Sequence, residues 1–167
     1  MLRGGGRRHL GRVDEAIVLA RADRRIFARL VEGIGADDPV MAMRACDAAE
    51  KVSRERPEWL APFADLILGE YSAIPDQNIR WHLALMIGRL PLSGPRRDQA
   101  MSLLLGWMDQ GRSPIVTVNS METLAVFAER DHRLKDLVMD IIAARMADGP
   151  ASVAARGRLL EKRLLKL

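Results

Sequence analysis

An apolar pattern recurs three times in this chain at a fixed spacing of 38 residues. Its first members are Met41, Ile79 and Thr117. Apolar residues follow each of them after four, seven, eight and eleven residues: Ala45, Ala48, Ala49 and Val52, then Leu83, Met86, Ile87 and Leu90, then Met121, Leu124, Ala125 and Ala128. Spacings of three and four residues place these side chains on one face of a helix. A repeat of this length predicts stacked pairs of helices.

A second apolar segment in each copy predicts the second helix of each pair. It begins at Phe63, Met101 and Met139, and three residues later come Leu66, Leu104 and Ile142. The first helix of the second pair carries Asp76 at its start, and the other two begin with Asp38-Pro39 and Ser113-Pro114. An Asp or Ser side chain can cap the free amides of a helix start, and proline fits the first turn.

These signals divide the chain into a basic flexible arm and one domain. The arm covers 1–12 and the domain covers 13–167. Inside the domain we expect one N-terminal capping helix, three repeats and one C-terminal helix: Val13 to Ile34, about 37–74, 75–112 and 113–149, and 150–167. The N-terminal helix does not fit the 38-residue spacing, as is typical of a terminal cap.

Helix pairs that begin with Asp-Pro and carry small apolar residues at these spacings resemble HEAT or armadillo-like repeats. The clearest copies are Asp38 to Val52 and Asp76 to Leu90, and Ser113 to Ala128 is a third. The resemblance implies an all-α fold: an α-α superhelix of about three HEAT-like hairpins with a capping helix at each end. It also implies a non-enzymatic protein-protein interaction scaffold, which is how HEAT-like proteins usually act.

The net charge of +4 comes from the two ends of the chain. Residues 1–12 carry four arginines and no acid, and 150–167 carry five basic residues and one acid. In the last helix Arg158, Lys162 and Lys166 recur every four residues on one face. This basic face predicts either the solvated outside of a cap or a surface that binds nucleic acid or an anionic membrane.

A candidate basic ridge comes from the first turn of the second helices. Trp59, Arg97 and Lys135 each lie 18 residues after a first member of the pattern, and Arg96 and Arg133 are neighbours. Stacking would align them as a groove suited to phosphate or to an acidic peptide. The alternative is ordinary solvated charge, with Trp59 packing locally.

The sequence predicts no catalytic or metal site and no cofactor. His9, His82 and His132 lack ligands at metal-binding spacing, and we expect His82 on a partly exposed helix surface. The single cysteine, Cys46, is interpreted as a small buried hydrophobe, which fits a reducing, cytoplasmic location. No apolar stretch is long enough to span a membrane.

Three functions remain open from the sequence. The first is a scaffold that binds another protein. The second is a HEAT-like protein that binds nucleic acid through its basic ends and ridge. The third is a subunit of a larger solenoid that associates with itself, because three repeats are about the minimum for stability.

Overall fold

A computed structural model describes residues 13–110 and 113–167. The described residues form α-helices and short 3₁₀ segments and contain no strand, which confirms the all-α prediction. The α-helices are α1 (Val13–Ala22), α2 (Arg24–Glu32), α3 (Pro39–Ser53), α4 (Ala64–Leu68), α5 (Gln77–Arg89), α6 (Gly94–Gln110), α7 (Pro114–Arg130), α8 (Lys135–Asp148) and α9 (Ala151–Leu164). The predicted flexible arm, 1–12, lies outside the described residues.

The chain divides into two compact units, with the boundary between Leu92 and Ser93. The first contains α1 to α5 and the second contains α6 to α9. The boundary falls inside the predicted second repeat, in the turn between its two helices. One domain spanning 13–167 therefore stays a prediction, and each unit is described by itself.

In the first unit, the alternate helices α1, α3 and α5 pack against one another in chain order. Helix α3 contacts both α1 and α5, and it also contacts α2 and the 3₁₀ segment Pro57–Phe63. In the second unit α9 packs on α7, and α8 contacts both of them. Within each unit, the pairing of alternate helices fits stacked helix pairs.

The repeat positions form the core of these alternate helices. All twelve residues at the four recurring positions of α3, α5 and α7 are fully buried. Helix α1 has the same pattern 32 residues before that of α3, in Val13, Ala16, Ile17 and Ala20, and these are at most 5% exposed. Helix α1 thus carries a copy of the pattern at a shorter spacing from α3, which is why a search at 38 residues misses it.

The predicted single helix from Val13 to Ile34 is wrong, because the helix is interrupted at Asp23. That residue is extended, and its carboxylate accepts a hydrogen bond from the Arg25 amide at 2.8 Å, which caps the start of α2. Helix α2 then ends in a 3₁₀ turn at Gly33–Gly35. The N-terminal element is therefore a helix pair, like the repeats that follow it.

The second helix of the first repeat is also interrupted. The segment Pro57–Phe63 is a 3₁₀ helix, and only Ala64–Leu68 is α-helical. Pro62 lacks an amide hydrogen and its ring crowds the preceding turn, so a regular α-helix does not pass through it. At the other end of the chain α9 ends at Leu164, and Leu167, beyond that end, is 40% exposed.

The predicted helix starts are partly confirmed. Asp38 accepts a hydrogen bond from the Val40 amide at 2.9 Å, and Asp76 accepts one from the Asn78 amide at 2.7 Å. Ser113 occupies the cap position of α7, but its side chain makes no capping bond. The Asp caps therefore satisfy free amides at two of the three helices.

We expect Leu83→Ala to lower the free energy of unfolding by about 3 kcal/mol, because it removes a fully buried side chain at a repeat position and leaves a cavity. Leu137→Ala is the matched control, since Leu137 is helical but 51% exposed, and it should change stability by less than about 0.5 kcal/mol. Urea unfolding of both variants measures the difference. Equal losses would contradict the assignment of Leu83 to the core.

Candidate functional site

A buried charge cluster joins α3 to α5. Glu50 has no exposed surface, and its carboxylate accepts hydrogen bonds from Arg54 Nη2 and Arg89 Nη2, each at 2.7 Å. Arg89 also donates to Ser53 Oγ at 2.9 Å. Burial alone would raise the pKa of Glu50, but the two guanidinium groups outweigh it and lower the pKa. The carboxylate therefore stays ionised inside the unit.

His82 lies beside this cluster and is only 3% exposed. Its Nε2 is 3.7 Å from Asp47 Oδ1, and its Nδ1 is 4.0 Å from Glu50 Oε2. Burial lowers the pKa of His82 to about 4, against the opposing effect of the two carboxylates. The expected partly exposed position is wrong: His82 shares a repeat position with Arg44 and Ser120, and all three are buried.

Cys46 completes a group of residue types that could form a thiol nucleophile, but its surroundings oppose that role. The side chain is fully buried, and Sγ donates a weak hydrogen bond to the Ile79 carbonyl oxygen at 3.7 Å. Burial raises the pKa of the thiol well above its ordinary value. A protonated, inaccessible thiol is a poor nucleophile. The cluster of Asp47, Glu50 and His82 therefore contributes to helix packing.

The predicted ridge residues lie in two different units. Trp59 belongs to the first, where its ring centroid is 5.7 Å from that of Phe27 and 5.6 Å from the guanidinium carbon of Arg56. Arg96, Arg97, Arg133 and Lys135 belong to the second. Trp59 thus has local packing partners, and its alignment with the basic residues stays a prediction.

Arg97 and Arg133 come together on one carboxylate. Asp131 accepts from Arg97 Nη1 at 2.6 Å and from Arg133 Nε at 2.8 Å. These bonds lower the pKa of Asp131 despite its partial burial, and the bond from Arg133 has the largest effect. Arg97 also pairs with Asp98 at 3.1 Å. Two acids therefore balance the two arginines. Of the other two cations of the predicted ridge, Arg96 is exposed and Lys135 is half-buried.

The predicted basic residues of the last helix point to solvent. Arg158 and Lys162 lie on α9 and Lys166 lies just beyond its end, and all three are exposed. At 3.6 residues per turn, Lys162 lies about 60° and Arg158 about 100° from Leu159, both on the same side of it around α9. Lys162 is thus the nearer of the two to Leu159, an apolar side chain that is 61% exposed.

An apolar groove of about 530 Å³ runs between α7 and α9. The two helices point in the same direction, because their first turns both line the groove and Arg163, near the end of α9, bonds Glu122 and Glu129 farther along α7. The groove is lined by Pro114, Ile115, Val118, Ser152, Ala155, Arg156 and Leu159. Ile115 is 47% exposed, so two large apolar side chains of the groove face water.

Sequence reasoning missed the groove residues Ile115, Val118 and Leu159. A signal was present in α9, where Leu159 stands between Arg156 and Lys162 on the basic face rather than among the buried residues Val153, Leu160 and Leu164. Single exposed apolar residues are common on protein surfaces, so Leu159 becomes informative only together with Ile115. Whether Ile115 and Leu159 would approach each other depended on the helix packing.

A smaller cavity of about 220 Å³ lies near the starts of α7 and α9. Arg145 and Asp148 both line it, so it presents charges of both signs. Arg145 Nη2 is already bonded to Asp109 at 2.5 Å. Within 13–110 and 113–167, no group of three or more His, Cys, Asp or Glu side chains is placed to hold a metal ion. Nor does any helix of this part of the chain have the length and apolar character needed to cross a membrane.

Comparison with known proteins gives no relative from which to transfer a role. No protein-family model, no curated protein and no solved structure matches the chain. The chain's own surfaces, among them the largely apolar α7–α9 groove, therefore provide the functional evidence.

Protonation of His82 should favour the unfolded chain. Its pKa is about 4 in the fold, against an ordinary 6.5, so between these values the unfolded chain binds more protons and stability falls as the pH is lowered. We expect a loss of about 2 kcal/mol in the free energy of unfolding between pH 7 and pH 5, measured with urea.

The variant His82→Leu should lose this part of the pH dependence. His132→Leu, which replaces an exposed histidine, is the control and should keep it. An unchanged slope in the His82 variant would show that His82 is not buried in its neutral form.

Proposed function

We propose that this chain is a non-enzymatic protein-interaction scaffold built from HEAT-like helix pairs in an α-α superhelix. The observation that carries the proposal is the α7–α9 groove, where Ile115 and Leu159 expose apolar surface between two packed helices. Burial of such surface is the main favourable term in protein association. Stacked helix pairs commonly present extended binding surfaces of this kind.

The repeat pattern supports the scaffold class independently of the groove. Helices α3, α5 and α7 bury the same four positions, so the core follows a repeating pattern of the kind that stacked helix pairs use. The cluster around Glu50 and His82 fits this interpretation, because it connects neighbouring helices and offers no accessible thiol.

Nucleic-acid binding remains the second candidate because Arg158, Lys162 and Lys166 are exposed together at the end of the chain. Phosphate contacts make such binding strongly dependent on salt. A titration with mixed DNA and RNA at low and moderate salt separates the candidates. Tight binding that disappears in the triple alanine variant of these residues would favour nucleic acid, and no binding at low salt would exclude it.

The groove makes a specific prediction for the scaffold function. A photo-crosslinking amino acid at position 115 should form protein adducts in cells, and Leu159→Asp should reduce their yield about tenfold, because it places a charge in the apolar contact. The adducts should resist nuclease and be lost on protease treatment.

Leu137→Asp is the matched control for this experiment. Leu137 is an exposed apolar residue of α8 and does not line the groove, so its variant should keep the adduct yield. Far-ultraviolet circular dichroism checks that both variants remain folded. Equal yields in the two variants, or no protein adduct at all, would contradict the proposal.

A further inference from the structure

We infer that the α7–α9 groove binds an acidic amphipathic helix of a partner protein. This inference rests on the proposed scaffold function and specifies the chemistry of the partner. It combines two observations about the same surface: exposed aliphatic side chains along the groove and basic side chains at its edge.

The shape of the groove selects a helical partner. Extended peptides bind by adding a strand to an exposed sheet edge, and residues 13–110 and 113–167 contain no strand. Proline-rich segments bind grooves lined by aromatic rings, and none of the lining residues is aromatic. A helix satisfies its own backbone hydrogen bonds and can bury an apolar face between α7 and α9.

Three aliphatic side chains give the partner helix its contacts. Ile115 and Val118 are spaced by three residues on α7, and Leu159 faces the same groove from α9. Ser152 and Ala155 are small and allow a close approach along the α9 side. A partner helix with apolar residues at i, i+3, i+4 and i+7 has a stripe that matches this surface.

The basic side chains at the edge of the groove select an acidic partner. Arg156 lines the groove, and Lys162 lies on the same face of α9 one turn after Leu159. Glu122 and Glu129 of α7 are engaged by Arg163, and Glu122 lies 3.6 Å from Arg156. Lys162 is exposed, so carboxylates that flank an apolar stripe would meet a positive edge.

The same charges argue against a second copy of α9 as the occupant. In that helix four basic residues stand against one acid, so two copies would place like charges opposite each other. Nucleic acid would contact the basic edge but would leave Ile115, Val118 and Leu159 without an apolar partner.

A displayed peptide library tests the inference with the full chain as bait. The probe is an 18-residue peptide with leucine fixed at i, i+3, i+4 and i+7 of two turns and with Glu, Lys, Gln or Ala at the other positions. Binders are selected on the native chain and counter-selected on Leu159→Asp. We expect the Leu159-dependent binders to be enriched in glutamate next to the leucine stripe.

Charge reversal in the chain provides the matched readout. Lys162→Glu should weaken a selected peptide about tenfold, and Arg96→Glu, at an exposed residue of α6 that does not line the groove, should change its affinity by less than about twofold. Replacement of the peptide's glutamates by lysine should restore binding to Lys162→Glu. A rise in ionic strength should weaken binding to the native chain.

The outcomes separate this inference from the proposed function. Leu159-dependent binders with no charge preference, or rich in lysine, would overturn the acidic partner while the groove remained a binding surface. Selection of no Leu159-dependent peptide would overturn the helix-in-groove inference, and the photo-crosslinking experiment at position 115 would then judge the scaffold function by itself.

Discussion

The register between α3 and α5 depends on the buried carboxylate of Glu50. Apolar packing between helices has little directional preference, and the α3 side of this contact consists largely of alanine, which would tolerate sliding by a turn. The bonds from Arg89 to the Glu50 carboxylate and to Ser53 Oγ form in only one register. A shift would leave the buried carboxylate with Arg54 but without Arg89, and the loss of a hydrogen bond between charged groups costs about 1.5–3 kcal/mol.

In the second unit, ion pairs between arginine and glutamate also join alternate helices. Arg163 of α9 bonds Glu122 and Glu129 of α7, and the partners are 41 and 34 residues apart in sequence. Arg89 and Glu50 are 39 residues apart. These separations are close to the repeat length, as expected when a residue in one copy contacts the neighbouring copy. The bonds in the second unit are more exposed, so each of them should contribute less to stability.

Much of the fold could be predicted from the sequence because the buried positions obey a simple spacing. The twelve repeat residues of α3, α5 and α7 are fully buried, and the Asp38 and Asp76 caps form. The break at Asp23 was missed because the apolar stripe continues across it, from Ala20 to Phe27. Local capping there outweighed the helical pattern.

The candidate sites were harder to predict because they depend on contacts between helices. The sequence around His82, with Arg80 and Trp81 beside it, predicts a surface position, yet this repeat position lies inside the packed unit. The pairing of Arg97 and Arg133 with Asp131 required knowledge of the fold, as did the meeting of Ile115 and Leu159 in one groove. The spacing of charged residues in the sequence indicates candidate binding residues, but it does not specify which acids or apolar side chains will contact them.

A double-mutant cycle on Glu50 and Arg89 tests most directly whether their pairing fixes the helix register. Glu50→Gln, Arg89→Met and the double variant are unfolded with urea at pH 7, where both native groups are charged. A coupling energy of about 2 kcal/mol is expected for a buried, hydrogen-bonded pair. Single-variant effects that add within about 0.5 kcal/mol would show that the two side chains do not act together, and the account of the α3–α5 contact would then be wrong.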